Sequence, residues 1–241
     1  MTRATLQVID LGRRNYGEVL ELQRDLCRRR VAKEIANDIL LLVEHDPVVT
    51  LGRGTRPSSL ILPPAELKAR GIDVFEVERG GDVTYHEPGQ LVGYPILDLS
   101  LHRQDLHWYL REVEAALISA LADLEVIADR RAGLTGVWTR GRKIASIGIH
   151  VKQWVTFHGF ALNVINDMTN FELMIPCGID DVEMTSVARE RGAMAGADDL
   201  WWSTRSAVVA AFGKHFDRDP EETSLESLNL RMTEQPTGEI G

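Results

Sequence analysis

The sequence predicts a single α/β or α+β domain, on three observations. Short apolar and β-branched runs alternate with two segments whose apolar residues recur at helical spacing. Three short strands separated by tight turns lie between residues 136 and 164, the pattern of a β-meander. No internal repeat and no linker rich in Pro, Gly or Ser divides the 241 residues, and an apolar content of 44% is enough for one sizeable core.

The elements follow in order. Residues 6–11 read as the first strand. A helix is expected over 16–30, where Val19, Leu22 and Leu26 share a face; Cys27 adjoins that stripe and reads as a small buried hydrophobe. Residues 39–44 are apolar and β-branched, a buried strand. His45, Asp46 and Pro47 then turn the chain into a short extended piece at 48–51. A loop at 52–64 precedes a short helix at 65–70 and a strand at 74–77. The segment 79–90 is Gly-rich and polar, and a strand follows at 91–97. The second amphipathic helix runs over about 106–121, with Leu106, Leu110, Val113, Leu117 and Leu121 on one face. The meander comprises 136–138, a turn at 139–142, a strand at 143–151, a turn at Lys152 and Gln153, and a strand at 154–164. Residues 184–190 read as a short helix and 200–216 as a longer one. The domain is expected to span 1–220, and 221–241, polar and weakly periodic, to be a mobile tail.

Composition narrows the function classes. With 27 basic and 36 acidic side chains the net charge is −9, which argues against a nucleic-acid or membrane-surface binder, since both partners are anionic. Two cysteines are too few for a disulfide framework and fit a reducing compartment. The first ten residues read as a strand and not as a signal peptide, and the apolar run 39–43 is far too short to span a bilayer. The expected location is the cytoplasm. No HExxH or CxxC spacing exists, so no metal site is expected. His102 and His107 read as surface residues near a helix start, and His45 and His215 carry no signal.

The residue with the clearest chemical promise is Cys177, between Pro176 and Gly178. Pro restricts φ and Gly permits positive φ, so the thiol sits on a shaped loop where it can be aimed as a nucleophile. Lys143 starts a strand directly after a turn; a cation beside a thiol favours the thiolate, so the two residues are a candidate pair. Arg79, Gly80, Gly81, Asp82, Val83, Thr84, Tyr85 and His86 form the densest polar cluster. Its adjacent glycines let backbone N–H groups approach a ligand. The spacing is neither that of a P-loop nor that of a dinucleotide fingerprint. Ser146, Ile147 and Gly148 in one strand, and His158, Gly159, Phe160 and Ala161 in the next, place glycines where a sheet face is left open to an apolar ligand.

Five stretches together resemble the lipoyl(octanoyl) transferase family: LVEHDPVVTLGRG at 42–54, RGGDVTYHEPGQL at 79–91, GRKIASIG at 141–148, FHGFALNV at 157–164 and IPCG at 175–178. They occur in family order, and the resemblance covers roughly residues 6–216. One departure is Glu87, where the family usually shows Gly after the Tyr-His pair. The resemblance implies a mixed, largely antiparallel sheet flanked by helices, the fold of biotin and lipoate protein ligases. It implies transfer of an octanoyl group from octanoyl-acyl carrier protein to a lysine of lipoyl domains, those of 2-oxoacid dehydrogenase E2 subunits and of the glycine cleavage H protein. In that reading Cys177 is the acyl-thioester nucleophile, Lys143 its basic partner, and the segments 79–86, 146–148 and 158–161 hold the acyl substrate. No cofactor is implied. Arg53, Arg56, Arg140 and Arg142 are candidates for docking acidic partners. The alternatives are an ATP-dependent lipoate or octanoate ligase and a non-catalytic binder of acyl or lipoyl domains. A third is a cysteine hydrolase using His158 or His86 as base.

Overall fold

The computed structural model describes residues 3–173, 182–192, 196–230 and 232. Its strands are β1 (Ala4–Arg14), β2 (Asp38–His45), β3 (Val48–Leu51), β4 (Asp73–Glu76), β5 (Val83–His86), β6 (Gln90–Ile96), β7 (Asp129–Arg131), β8 (Leu134–Thr139), β9 (Arg142–Lys152), β10 (Val155–Asn163) and β11 (Arg218–Glu222). Its helices are α1 (Tyr16–Val31), α2 (Pro64–Ala69), α3 (Leu106–Asp123), α4 (Val187–Arg191) and α5 (Ala197–His215).

Eight strands form one mixed sheet in the order β11-β1-β2-β6-β10-β9-β8-β7. β1 pairs in parallel with both β11 and β2, and every other pair in this sheet is antiparallel. β2 explains why its sequence is a continuous apolar run. Leu40 and Leu42 pack with α3 and α5 on one face, while Ile39, Leu41 and Val43 pack with α1 on the other. A smaller sheet, β4-β3-β5, stands beside the large one. Local chemistry sets the helix starts: Asn15 accepts from Gly17 N–H at α1, and Asp105 accepts from His107 and Trp108 N–H at α3.

Three expectations change. The polar segment 79–90 contains a strand, β5, because its Val-Thr-Tyr run pairs antiparallel with β3. The helix expected at 184–190 begins only at Val187, since Met184 is held in a parallel bridge with Lys143. His102 is not a surface residue: its side chain is 5% exposed and its Nε2 lies 2.7 Å from Asp38. The chain beyond 220 continues along β11 against β1, and Leu230 is buried in the α1-side core. Cys27 is buried in that same core, and burial pushes its thiol up. Cys177 lies outside the described residues. Among those described, no helix is long and apolar enough to cross a membrane.

Asp38 joins four parts of the chain. Its carboxylate accepts from Arg30 Nη2 at 2.9 Å, Arg218 Nε at 3.0 Å and the Asp98 N–H at 3.1 Å, besides the contact with His102. Burial pushes the carboxyl up, but hydrogen bonds from His102 and Arg30 outweigh it and hold the pKa at about 2, below the ordinary 3.8. A folded-state value below the unfolded one stabilises above pH 4 and loses that contribution as pH falls towards 2. Asp38→Ala, which leaves Arg30 buried and uncompensated, is expected to lower the unfolding free energy by about 3–5 kcal/mol in denaturant titration. The difference between wild type and variant should shrink between pH 4 and 2; a variant within 1 kcal/mol (roughly, a surface-substitution effect) at neutral pH contradicts this.

Candidate active site

A cavity of about 240 Å³ opens over the α1-side face of the large sheet. Its floor crosses four neighbouring strands: Val92 and Tyr94 on β6, residues 159–161 on β10, Lys143 and residues 146–148 on β9, and Trp138 on β8. The loop before β5 and its first residues form the opposite wall, and Tyr16 from α1 closes one side. The sequence-predicted residues Arg79, Gly81, Asp82, Val83, Thr84, His86, Ser146, Ile147, Gly148, His158, Gly159, Phe160, Ala161 and Lys143 all line it. Two do not. Tyr85 points into the small sheet's core against Phe171, and Gly80 serves through its backbone, its N–H donating to Ile149 O at 2.8 Å. That bond ties the polar loop to the edge of the floor.

Seven lining residues lay outside the sequence reading: Tyr16, Val92, Tyr94, Gly133, Leu134, Thr135 and Trp138. Gly133 sits in the turn between β7 and β8, and the other six sit in elements whose inward face depends on register and packing, of which the sequence carries no local mark.

Lys143 owes its direction to a register slip. Val137 pairs with Ala145, yet Trp138 pairs with Lys143, so β9 holds one extra residue, Ile144. Without this bulge, strict alternation would put Lys143 and Ser146 on opposite faces. With it, Ile144 joins the α3-side core and Lys143 shares the cavity face with Ser146 and Gly148. The Lys143 side chain is 2% exposed, and its Nζ lies 5.7 Å from the Trp138 ring centroid. Gly136, at φ +130°, leaves the room it needs: a Cβ there would stand 2.8 Å from Lys143 Cε. The Lys143 backbone is bonded to the chain just after Cys177, donating to Glu183 O at 2.8 Å and accepting from Thr185 N–H at 2.9 Å.

Arg79 is the other buried cation that lines the cavity, 7% exposed. Its guanidinium donates to Thr50 O at 2.8 Å, Thr50 Oγ1 at 2.9 Å and Gly80 O at 3.1 Å. Gly148 is small because Arg79 crosses above it; a Cβ would stand 3.0 Å from Arg79 Cδ and 2.9 Å from Gly80 O. Asp82 anchors the same loop, accepting from Ser59 Oγ at 2.7 Å.

His86 and His45 are held neutral. Burial, then the neighbouring His45, pushes His86 down to about 3, and burial pushes His45 down to about 4. His86 Nδ1 lies 2.7 Å from Gln90 Oε1, whose own amide donates to Asn163 Oδ1 and Tyr85 O, so Nδ1 carries the proton. His45 Nδ1 faces the Arg14 carbonyl at 3.0 Å, which leaves Nε2 to accept from the Tyr94 hydroxyl at 2.8 Å. Asn163 extends this network to Thr185 O at 3.0 Å, and thus to the strand of Lys143. Glu87, the departure from the family pattern, is 5% exposed and accepts from Asn166 and Asn170; burial pushes its carboxyl up.

The expected basic patch is altered. Arg53 and Arg56 are exposed, but Arg142 donates to Glu190 at 2.8 Å and Arg140 reaches the same carboxylate at 3.7 Å. Among the described residues, no group of His, Cys, Asp and Glu is arranged to hold a metal ion.

Residues 15–212 match the family model of the lipoyl protein ligase A/B catalytic domain. The octanoyltransferase of Synechococcus elongatus is 44% identical over 228 residues, 95% of this chain and 94% of its own. That of Geobacter sulfurreducens is 45% identical over 218 residues, 90% and 88% of the two chains. The fold matches a bipartite lipoate protein ligase from Thermoplasma acidophilum, with a TM-score of 0.70 at 16% identity over 95% of this chain and 91% of that one. The chain therefore belongs to the lipoyl protein ligase A/B catalytic domain family, and within it to the octanoyltransferases.

Proposed function

We propose that this chain transfers an octanoyl group from octanoyl-acyl carrier protein to the ε-amine of a lysine on lipoyl domains, through a thioester on Cys177 with Lys143 as proton acceptor. The observation that carries the reading is the bonding of Lys143 to Glu183 and Thr185, beside a cavity lined by three separate substrate-like segments. Cys177 precedes Glu183 by six residues, a reach of at most about 20 Å even when extended.

In the first step the Cys177 thiolate adds to the carbonyl carbon of the carrier thioester. The carbon–sulfur bond to the carrier breaks, and the carrier sulfur leaves as a thiol with the proton that Lys143 took from the Cys177 thiol. One thioester replaces another, so no ATP is consumed. The alkyl chain lies in the cavity, where each buried CH₂ contributes about 0.8 kcal/mol. In the second step the acceptor amine attacks the same carbon, Cys177 leaves as thiolate, and the amine proton passes to Lys143. Backbone N–H groups offer positive potential where the oxyanion forms. The acceptors belong to 2-oxoacid dehydrogenase E2 subunits and the glycine cleavage H protein, and the reaction takes place in the cytoplasm.

Wild type incubated with octanoyl-carrier protein is expected to gain one octanoyl group on Cys177 by intact and peptide mass spectrometry, and Cys177→Ser to gain no thioester. An adduct elsewhere, or none on wild type, rules the mechanism out. Transfer that depends on added ATP would favour the ligase reading instead.

Lys143→Ala and Lys143→Arg are both expected to slow amide formation by about 10²–10⁴-fold while the fold is retained by circular dichroism. Arginine keeps the charge but cannot give up its proton, so an active Lys143→Arg would remove Lys143 as the base.

A further inference from the structure

His158 is the most unusual side chain at the cavity. Its φ is +56°, a left-handed conformation uncommon for a residue other than glycine. In a regular strand neighbouring side chains face opposite ways. Here the His158 ring stacks on that of Phe157, with centroids 4.8 Å apart and an interplanar angle of 26°. The left-handed turn has therefore brought the imidazole round to the α1-side face, where Phe157 packs and where the cavity lies. The surroundings hold it there: its N–H donates to Gln23 Oε1 at 2.9 Å, and it is 1% exposed.

The ring is buried without hydrogen bonds. Neither Nδ1 nor Nε2 has a partner within hydrogen-bond distance, Glu78 Oε2 being 3.7 Å from Nε2, and the neighbouring Gln23 Nε2 is likewise unpartnered. Such strain and such unpaired atoms persist where function requires them. Proton transfer at the reacting carbon is not that function. His158 pairs with Ile149, six residues along β9 from Lys143, which separates their Cα atoms by roughly 17–20 Å. Subtracting the reach of the lysine side chain leaves the span of a medium-length acyl chain. The seven C–C bonds of an octanoyl group, ~1.5 Å each, extend about 9 Å.

We propose that His158, swung into the cavity by its left-handed backbone, is a specificity-determining residue that ends the acyl site and limits chain length. This rests on the cavity being the acyl site. A chain of eight carbons reaches the imidazole without displacing it. Each further methylene must press against a polar ring wedged between Phe157 and Gln23.

The test is the kcat/KM of acyl transfer from carrier thioesters of six, eight, ten and twelve carbons. His158→Asn shortens the side chain and tolerates positive φ, and His158→Gly does so further. Wild type is expected to lose about tenfold or more between octanoyl and dodecanoyl, and His158→Asn to raise the dodecanoyl-to-octanoyl ratio about tenfold, with His158→Gly at least equal. A loss of folding alone would lower all chain lengths together and leave that ratio unchanged. A wild type indifferent to length, or a variant ratio within about twofold of wild type, overturns the proposal. Wild type that forms no acyl-enzyme with any chain would instead overturn the transfer reading itself.

Discussion

Val137 faces Ala145 and Trp138 faces Lys143, so one residue of β9 has no counterpart on β8. The candidate site depends on that single extra residue. It sends Ile144 to the α3-side core and Lys143 to the opposite face, two positions that a regular strand would not combine with Ser146 and Gly148. The bulge also decides which backbone meets the returning chain. Glu183 and Thr185 take the Lys143 N–H and carbonyl, so residues that follow Cys177 are registered against the lysine and not against the sheet at large. Gly136 at φ +130° and the Trp138 ring then form the slot for the side chain. Register, slot and loop exit are three consequences of one backbone irregularity.

The electrostatics follow from how each charge is treated. Arg111 and Arg130 spend their charge on buried Glu114, and Arg140 and Arg142 on buried Glu190. Arg79 donates to Thr50 and Gly80, and these bonds orient its guanidinium. His45 and His86 nearby are pushed to about 4 and 3 and stay uncharged. The cavity thus sets an oriented guanidinium and neutral imidazoles beside a floor on which an alkyl chain can be buried.

Most of the fold was legible because periodicity reports it directly. The helices at 16–30 and 106–121 and the strands at 39–44 and 143–151 match α1, α3, β2 and β9 within a few residues. The Val-Thr-Tyr run of β5 escaped notice because glycines flank it, and its partner β3 lies more than thirty residues away. The cavity segments were legible from their glycines and from the family resemblance. Trp138, Tyr94 and Tyr16 were not, because which way a strand residue faces is set by register, and at Trp138 the register is broken. His102 misled for a related reason. Near a helix start it reads as solvated, but Asp38, Arg218 and Phe216 close over it from distant parts of the chain.

The histidine geometry also bears on why an acyl-enzyme here would hand its acyl group to an amine and not to water. A hydrolase needs a base poised to deprotonate water at the thioester carbon. His86 has committed Nδ1 to Gln90 and is buried among Tyr16, His45 and Gln90. His158 stands opposite Ile149, at the far end of the floor from Lys143. The His158 ring is therefore not placed to serve the carbon that a nucleophile beside Lys143 would attack, and the His86 Nδ1 proton is already engaged. Lys143 itself is 2% exposed beneath Trp138, and water has poor access to it. An acceptor lysine brings its own nucleophile on a long side chain and needs only a proton acceptor where it arrives. On the proposed mechanism, a buried lysine beside the cavity suits that task better than it suits the activation of solvent.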